Sequence, residues 1–125
     1  MTCPFCEKIA AGHILTESPL AVAIPDGHPI SPCHTLIVPR RHEADFFKLT
    51  DDERSAIWAL VPVVRAIIEA ETRPDGYNIG VNVGAAAGQT VQHVHLHVIP
   101  RCHGDSPDPR GGIRWVLPAK ARYWK

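Results

Sequence analysis

The sequence predicts an α+β fold, a mostly antiparallel sheet carrying one long helix and one short N-terminal helix. Three observations lead there. Ile57, Trp58, Leu60, Val61, Val64, Ile67 and Ile68 recur at helical spacing. Short stretches of β character flank that helix in pairs. The links within each pair are too short for the helical crossover that parallel strands require, and strand pairs set around one helix argue for α+β.

Residues 3–12 read as a short helix ending at Gly12, a residue that often closes helices. Leu20-Ala-Val-Ala-Ile24 is an apolar run of strand length, stopped by the turn signal Pro25-Asp26-Gly27. A loop through Pro29, Ser31 and Pro32 leads to a second strand, Thr35-Leu-Ile-Val38, closed by Pro39. Thr50-Asp-Asp-Glu53 has the capping-box pattern, in which the threonine hydroxyl and the glutamate carboxylate each take one free amide of the first turn. It opens a helix over about 51–71, which Pro62 should kink or split because it removes one backbone donor. Tyr77–Val83 reads as a strand, Gly84–Gly88 as a tight small-residue loop, and Gln92–Ile99 as a strand closed by Pro100. Residues 102–112 read as loop, and Ile113–Leu117 as a final short strand or extended tail.

A chain of 125 residues suits one domain, 1–125. Lys and Arg (13) balance Asp and Glu (13), so nothing suggests a nucleic-acid-binding surface, and any anionic ligand must be held by a local site. No apolar run reaches the roughly 20 residues of a membrane span, and the first residues lack the regions of a signal peptide. A cytoplasmic location is therefore the default expectation. There a Cys-x-x-Cys pair such as Cys3 and Cys6 reads as metal-binding or redox-active, not as a structural disulfide. Cys33 and Cys102 carry no expected chemistry, and His13, His28 and His103 read as surface or loop residues.

His93, His95 and His97 alternate with Val94, Leu96 and Val98. On a strand the three imidazoles share one face, about 6.6 Å apart, with the aliphatic residues turned to the core. Three readings follow from the residues. The row is a polar surface, or a metal site, since histidine is the commonest metal ligand, or a nucleophilic centre. A neutral imidazole is a good nucleophile near pH 7 and can attack phosphorus, while its neighbours orient it and donate to the leaving atom.

The block Gly88-Gln-Thr-Val-Gln-His-Val-His-Leu-His-Val-Ile-Pro-Arg101 resembles the signature of the histidine-triad family of nucleotide-binding enzymes. Ser31-Pro-Cys-His-Thr-Leu-Ile-Val-Pro-Arg-Arg-His42 and Cys3-Pro-Phe-Cys6 with Ile9-Ala-Ala-Gly12 resemble two further blocks of that family, in the same order over residues 3–101. In the C-terminal tail, 102–125, the segment Asp108-Pro-Arg-Gly-Gly-Ile-Arg-Trp-Val-Leu-Pro118 looks like that of a bacterial subgroup.

The resemblance implies an α+β fold, and a homodimer in which the two sheets join. It implies that His95 attacks the α-phosphorus of a purine nucleotide derivative and forms a nucleotidyl-histidine intermediate. His97 would contact the phosphate and help the leaving group, Thr90 would bond near the phosphate, and His34 would support the triad. Asp26 would grip the ribose hydroxyls, Asn82 and Gln89 would sit near the phosphate, and Ile24, with Ile9 or Phe5, would line the base pocket. Zinc-containing members add a structural site, which here would be Cys3, Cys6, His42 and His93, four protein donors with no open position. Substrates implied are phosphoramidates, dinucleoside polyphosphates or acyl adenylates. The competing reading is a non-catalytic, zinc-stabilised nucleotide-binding protein.

Overall fold

The computed structural model describes residues 2–125. In chain order its elements are helix α1 (Pro4–Ala10), strands β1 (Thr16–Glu17), β2 (Ala21–Pro25) and β3 (Thr35–Pro39), helix α2 (Asp51–Glu71), strands β4 (Gly76–Val81) and β5 (Leu96–Arg101), and helix α3 (Pro118–Ala121). The strands form one sheet in the order β1-β2-β3-β5-β4, antiparallel throughout. The α+β fold with an antiparallel sheet is as expected. No helix among the described residues is long and apolar enough to cross a membrane.

Strand alternation separates two apolar layers. Ala21, Ala23, Ile37, Leu96 and Val98 pack with Ile57, Leu60, Val64 and Ile68 of α2 on one face of the sheet. Val22, Ile24, Leu36 and Val38 face the other way and pack with Phe5 of α1. The sheet is thus covered on both faces over β2 and β3. Those strands therefore read as unbroken apolar runs and not as alternating ones.

Helix α2 has the anticipated bounds and starts with a complete capping box: Glu53 N–H donates to Thr50 Oγ1 (3.1 Å) and Thr50 N–H donates to Glu53 Oε1 (2.8 Å). It runs unbroken through Pro62. Pro62 lies on the exposed side beside Val63, where solvent can satisfy the carbonyl that loses its partner, so the helix is not split.

Other expectations are corrected. α1 is shorter than 3–12, with Cys3 as its N-cap, and Gly12 takes the left-handed conformation just beyond it (φ +76°). β1 was not foreseen, because two residues carry no periodicity. β4 ends at Val81, leaving Asn82 and Val83 outside it. Residues 112–116 form a 3₁₀ turn instead of a strand. Gly111 and Gly112 both have positive φ (90° and 46°), and Trp115 Nε1–H folds back to Arg110 O (2.7 Å), which curls this segment.

The expected strand 92–99 also shifts: β5 starts at Leu96. The β3–β5 ladder ends at the Ile37–Leu96 pair. Two steps further along that register Pro39, with no N–H, would face Val94, so the ladder stops and Val94 N–H donates to Glu43 O instead (2.7 Å). His93 and His95 therefore precede the strand and His97 lies in it. The alternation persists, with Val94, Leu96 and Val98 all in the layer under α2.

Glu53 joins the helix to the segment before it. Its carboxylate also accepts from Arg41 Nε (3.1 Å) and Nη2 (2.9 Å), and is 5% exposed. The Arg41 guanidinium, then the Thr50 amide, hold its carboxyl down at about 2. Because the folded-state value lies below the ordinary one, this stabilisation is present above about pH 4.5 and is lost as pH falls towards 2. Glu53→Gln should cost about 1–3 kcal/mol at pH 7. Urea unfolding of both proteins should show that gap shrinking between pH 4.5 and 2.

Candidate active site and metal cluster

The hydrogen bonds around the three histidines assign their tautomers. His93 Nε2 lies 2.8 Å from Pro39 O, so Nε2–H donates there and Nδ1 keeps a lone pair. Burial pushes the His93 pKa down, which keeps the ring neutral. His95 Nδ1 lies 2.9 Å from the carbonyl oxygen of His93, so Nδ1–H donates to it and the lone pair sits on Nε2. His93 is fully buried and His95 is 7% exposed. Phe5 of α1 packs edge-on against both rings, with centroids 5.0 Å from His95 and 5.8 Å from His93.

His97 belongs to a second group. Ile30 N–H donates to His34 Nδ1 (3.2 Å), so His34 carries its proton on Nε2. That nitrogen lies 2.9 Å from His97 Nδ1 and 3.4 Å from Asp26 Oδ2. His34 therefore donates to His97 Nδ1, and His97 carries its own proton on Nε2. Burial, reinforced by His95 and His34, lowers His97 to about 4. Burial also lowers His34, against the pull of Asp26. Asp26 is held in a turn: its Oδ1 accepts from His28 N–H (2.7 Å) and its own N–H donates to His34 O (3.0 Å). His34 follows Cys33, a non-glycine residue in the left-handed region (φ 68°).

The metal expectation meets a compact cluster. Cys3, Cys6, His42 and His93 offer four ligand atoms, all within 4.8 Å of one another, that could hold a metal ion. His93 Nδ1 lies 3.2 Å from His42 Nδ1, 3.4 Å from Cys3 Sγ and 3.6 Å from Cys6 Sγ. His42 Nδ1 lies 3.5 Å from Cys6 Sγ. Around a tetrahedral ion with bonds of about 2.0–2.3 Å, such donors sit roughly 3.3–3.8 Å apart. The lone pair on His93 Nδ1, set by Pro39 O, faces the cluster centre, and that orienting bond is typical of metal-ligating histidines.

The other expected residues are placed as follows. Gln89 is buried and its amide is fully used: Oε1 accepts from Gly84 N–H (2.9 Å), and Nε2–H donates to Ala44 O (2.8 Å) and Val91 O (3.1 Å). It fixes the loop that carries Thr90, which is exposed, while Asn82 just beyond β4 is half-buried. Ile24 is wholly buried beside Phe5, with Ile9 packed on the same cluster. Sequence reasoning missed the backbone partners, the carbonyls of Pro39 and His93 and the amide of Ile30. Main-chain groups leave no residue-type signal, so only the fold could reveal them.

Residues 7–104 match the model of the HIT domain family. Adenosine 5'-monophosphoramidase hnt1 of Schizosaccharomyces pombe is 38% identical over 105 residues, 81% of this chain and 75% of that protein. AP-4-A phosphorylase of Mycobacterium tuberculosis is 33% identical over 96 residues, 76% of this chain and 49% of that protein, so the chain spans about half its length. The crystal structure of a Zn-bound histidine triad family protein from Mycobacterium smegmatis superposes with a TM-score of 0.75 at 30% identity, covering 95% of this chain and 93% of that one. With a family model matching residues 7–104, and a relative 38% identical over 81% of the chain, the chain belongs to the HIT domain family.

Proposed function

We propose that this protein is a nucleotidyl hydrolase, in which His95 Nε2 attacks the α-phosphorus of a purine nucleotide derivative. The observation that carries the reading is the bond from His95 Nδ1–H to the His93 carbonyl, which leaves the nucleophilic lone pair on Nε2. His97 is held neutral with its proton on Nε2, the nitrogen free to meet the leaving atom. Asp26 accepts the ribose hydroxyls, and Thr90 and Asn82 bond the phosphate from the opposite loop. Water then releases the nucleoside monophosphate. That an adenosine phosphoramidase and a phosphorylase stand among the relatives supports chemistry at a nucleotide phosphorus.

Zinc is the ion we assign to the Cys3–Cys6–His42–His93 cluster. Two thiols and two imidazoles are a zinc donor set, and four protein donors leave no position for substrate, so its contribution is structural. It ties α1, and with it Phe5, to the segment that carries His95. A homodimer is supported by β4, which stands at the edge of the sheet, and by Trp58 and Val63, exposed on the outer side of α2. The cytoplasm is the compartment in which both thiols stay reduced for the metal.

Incubation with an adenosine phosphoramidate should yield AMP and, on acid-free quenching, protein carrying one adenylyl group. His95→Ala should lose both, with turnover reduced by at least 10³-fold. Undiminished turnover by that variant would remove the nucleophile assigned here. Elemental analysis should find about one zinc per chain, and Cys3→Ser should fall well below that. Equal zinc in the two proteins would overturn the four-donor site. In analytical ultracentrifugation the wild type should sediment as a dimer and Trp58→Glu as a monomer.

A further inference from the structure

Helix α1 is fastened to the rest of the molecule at its two ends. Past its C-terminal end Gly12 takes a positive φ (+76°), and Leu15 N–H then donates to Ala23 O (2.8 Å), which returns the chain to the sheet. At its start Cys3 and Cys6 stand against His42 and His93. Between the two ends Lys8 Nζ donates to Pro25 O (2.9 Å), and Phe5 and Ile9 pack on Val22, Ile24, Leu36 and Val38. Seven residues are too few to hold a helix in water, so α1 keeps its shape through what it docks against. Lifting it about Gly12 would uncover those four aliphatic side chains, none more than 2% exposed. It would also uncover the rings of His93 and His95 that Phe5 covers.

The fastening at the start of α1 lies at the surface. Cys3 and Cys6 are each partly exposed, and His42 is exposed. The two sulfurs are neighbours: both belong to a cluster whose ligand atoms lie within 4.8 Å of one another, and Cys6 N–H donates to Cys3 Sγ (3.5 Å). A cysteine that ligates zinc does so as the thiolate, which is also the form that oxidants attack. Cys33 and Cys102 stand outside the cluster, and Cys102 is exposed, so the molecule carries its own comparison thiols.

We propose that Cys3 and Cys6 are a dithiol oxidised by hydrogen peroxide, and that their oxidation releases the metal and lifts α1 from the histidines. The proposal rests on the zinc assignment above. One thiolate attacks an oxygen of the peroxide: an S–O bond forms, the O–O bond breaks and hydroxide leaves, giving a sulfenic acid. The other thiolate attacks that sulfur: the S–S bond forms, the S–O bond breaks and a second hydroxide leaves. Two electrons pass from the sulfurs to the peroxide. His42 and His93 are then the only donors left of four, too few for a structural zinc site. With its start unfastened, α1 swings about Gly12 and takes Phe5 off the His95 ring. A dithiol reductant reverses the change by exchange with the disulfide.

The test treats zinc-loaded wild type with hydrogen peroxide, then with dithiothreitol and zinc. A chromogenic chelator should report zinc leaving the protein as peroxide is consumed. Mass spectrometry after trypsin should place the disulfide in the peptide that ends at Lys8 and holds both cysteines. Amide hydrogen exchange over residues 5–10 should quicken about tenfold or more, while that of α2 stays unchanged. Dithiothreitol with zinc should restore slow exchange, and Cys102→Ser should respond as wild type does. Zinc retained under peroxide, a disulfide formed first at Cys33 or Cys102, unchanged exchange over 5–10 after zinc has left, a change that the reductant does not reverse, or a response lost in Cys102→Ser would each overturn the switch. Untreated protein that holds no zinc after loading would instead strike the metal assignment, and the disulfide and the exchange over 5–10 would then decide the dithiol by themselves.

Discussion

His93 is fixed from two directions, and the site depends on that. Its Nε2–H is anchored on the Pro39 carbonyl at the end of β3. Its Nδ1 then faces Cys3, Cys6 and His42. Its own carbonyl receives the Nδ1–H of His95. One residue thus joins the end of a central strand, the N-terminal helix and the imidazole two positions on. The break in the β3–β5 ladder makes this possible: a regular strand through residues 93–95 would have used the carbonyl or the space that these side-chain bonds occupy.

The layering explains why histidines tolerate such burial. α1 covers the sheet face opposite α2, and Phe5 lies against the rings of His93 and His95. The Nε2–H of His34, the Nε2–H of His93 and the Nδ1–H of His95 each have an imidazole or carbonyl acceptor in reach. Neutral imidazoles cost far less to bury than charged ones, and the lowered values of His34, His93 and His97 express that preference.

Much of the fold could be read from local chemistry. The Thr50–Glu53 cap and the helical recurrence of Ile57, Leu60, Val64 and Ile68 gave α2 its bounds, because those signals are contained within the helix itself. What depended on a neighbour could not be read. The start of β5 is set by Pro39, more than fifty residues earlier in the chain, and the curl of residues 112–116 by the backbone freedom of Gly111 and Gly112. The site divides the same way. The alternation at 93–98 announced a histidine face, yet the spacing of Cys3 and Cys6 named only half of a cluster, and His42 and His93 were joined to it by resemblance alone.

The sequence distance between Cys3 and His93 has a consequence for biosynthesis. α1 has seven residues, too few to hold a helix in water by itself, and the side chains it docks against include His42 and His93. The first turn leaves the ribosome long before its last anchor is made. Until His93 has emerged, two thiols and the Phe5 ring have no finished place to go. Helix α1 therefore settles only after His93 is made, and the nucleophile's surroundings become complete only when the two ends of the histidine-triad region close on each other.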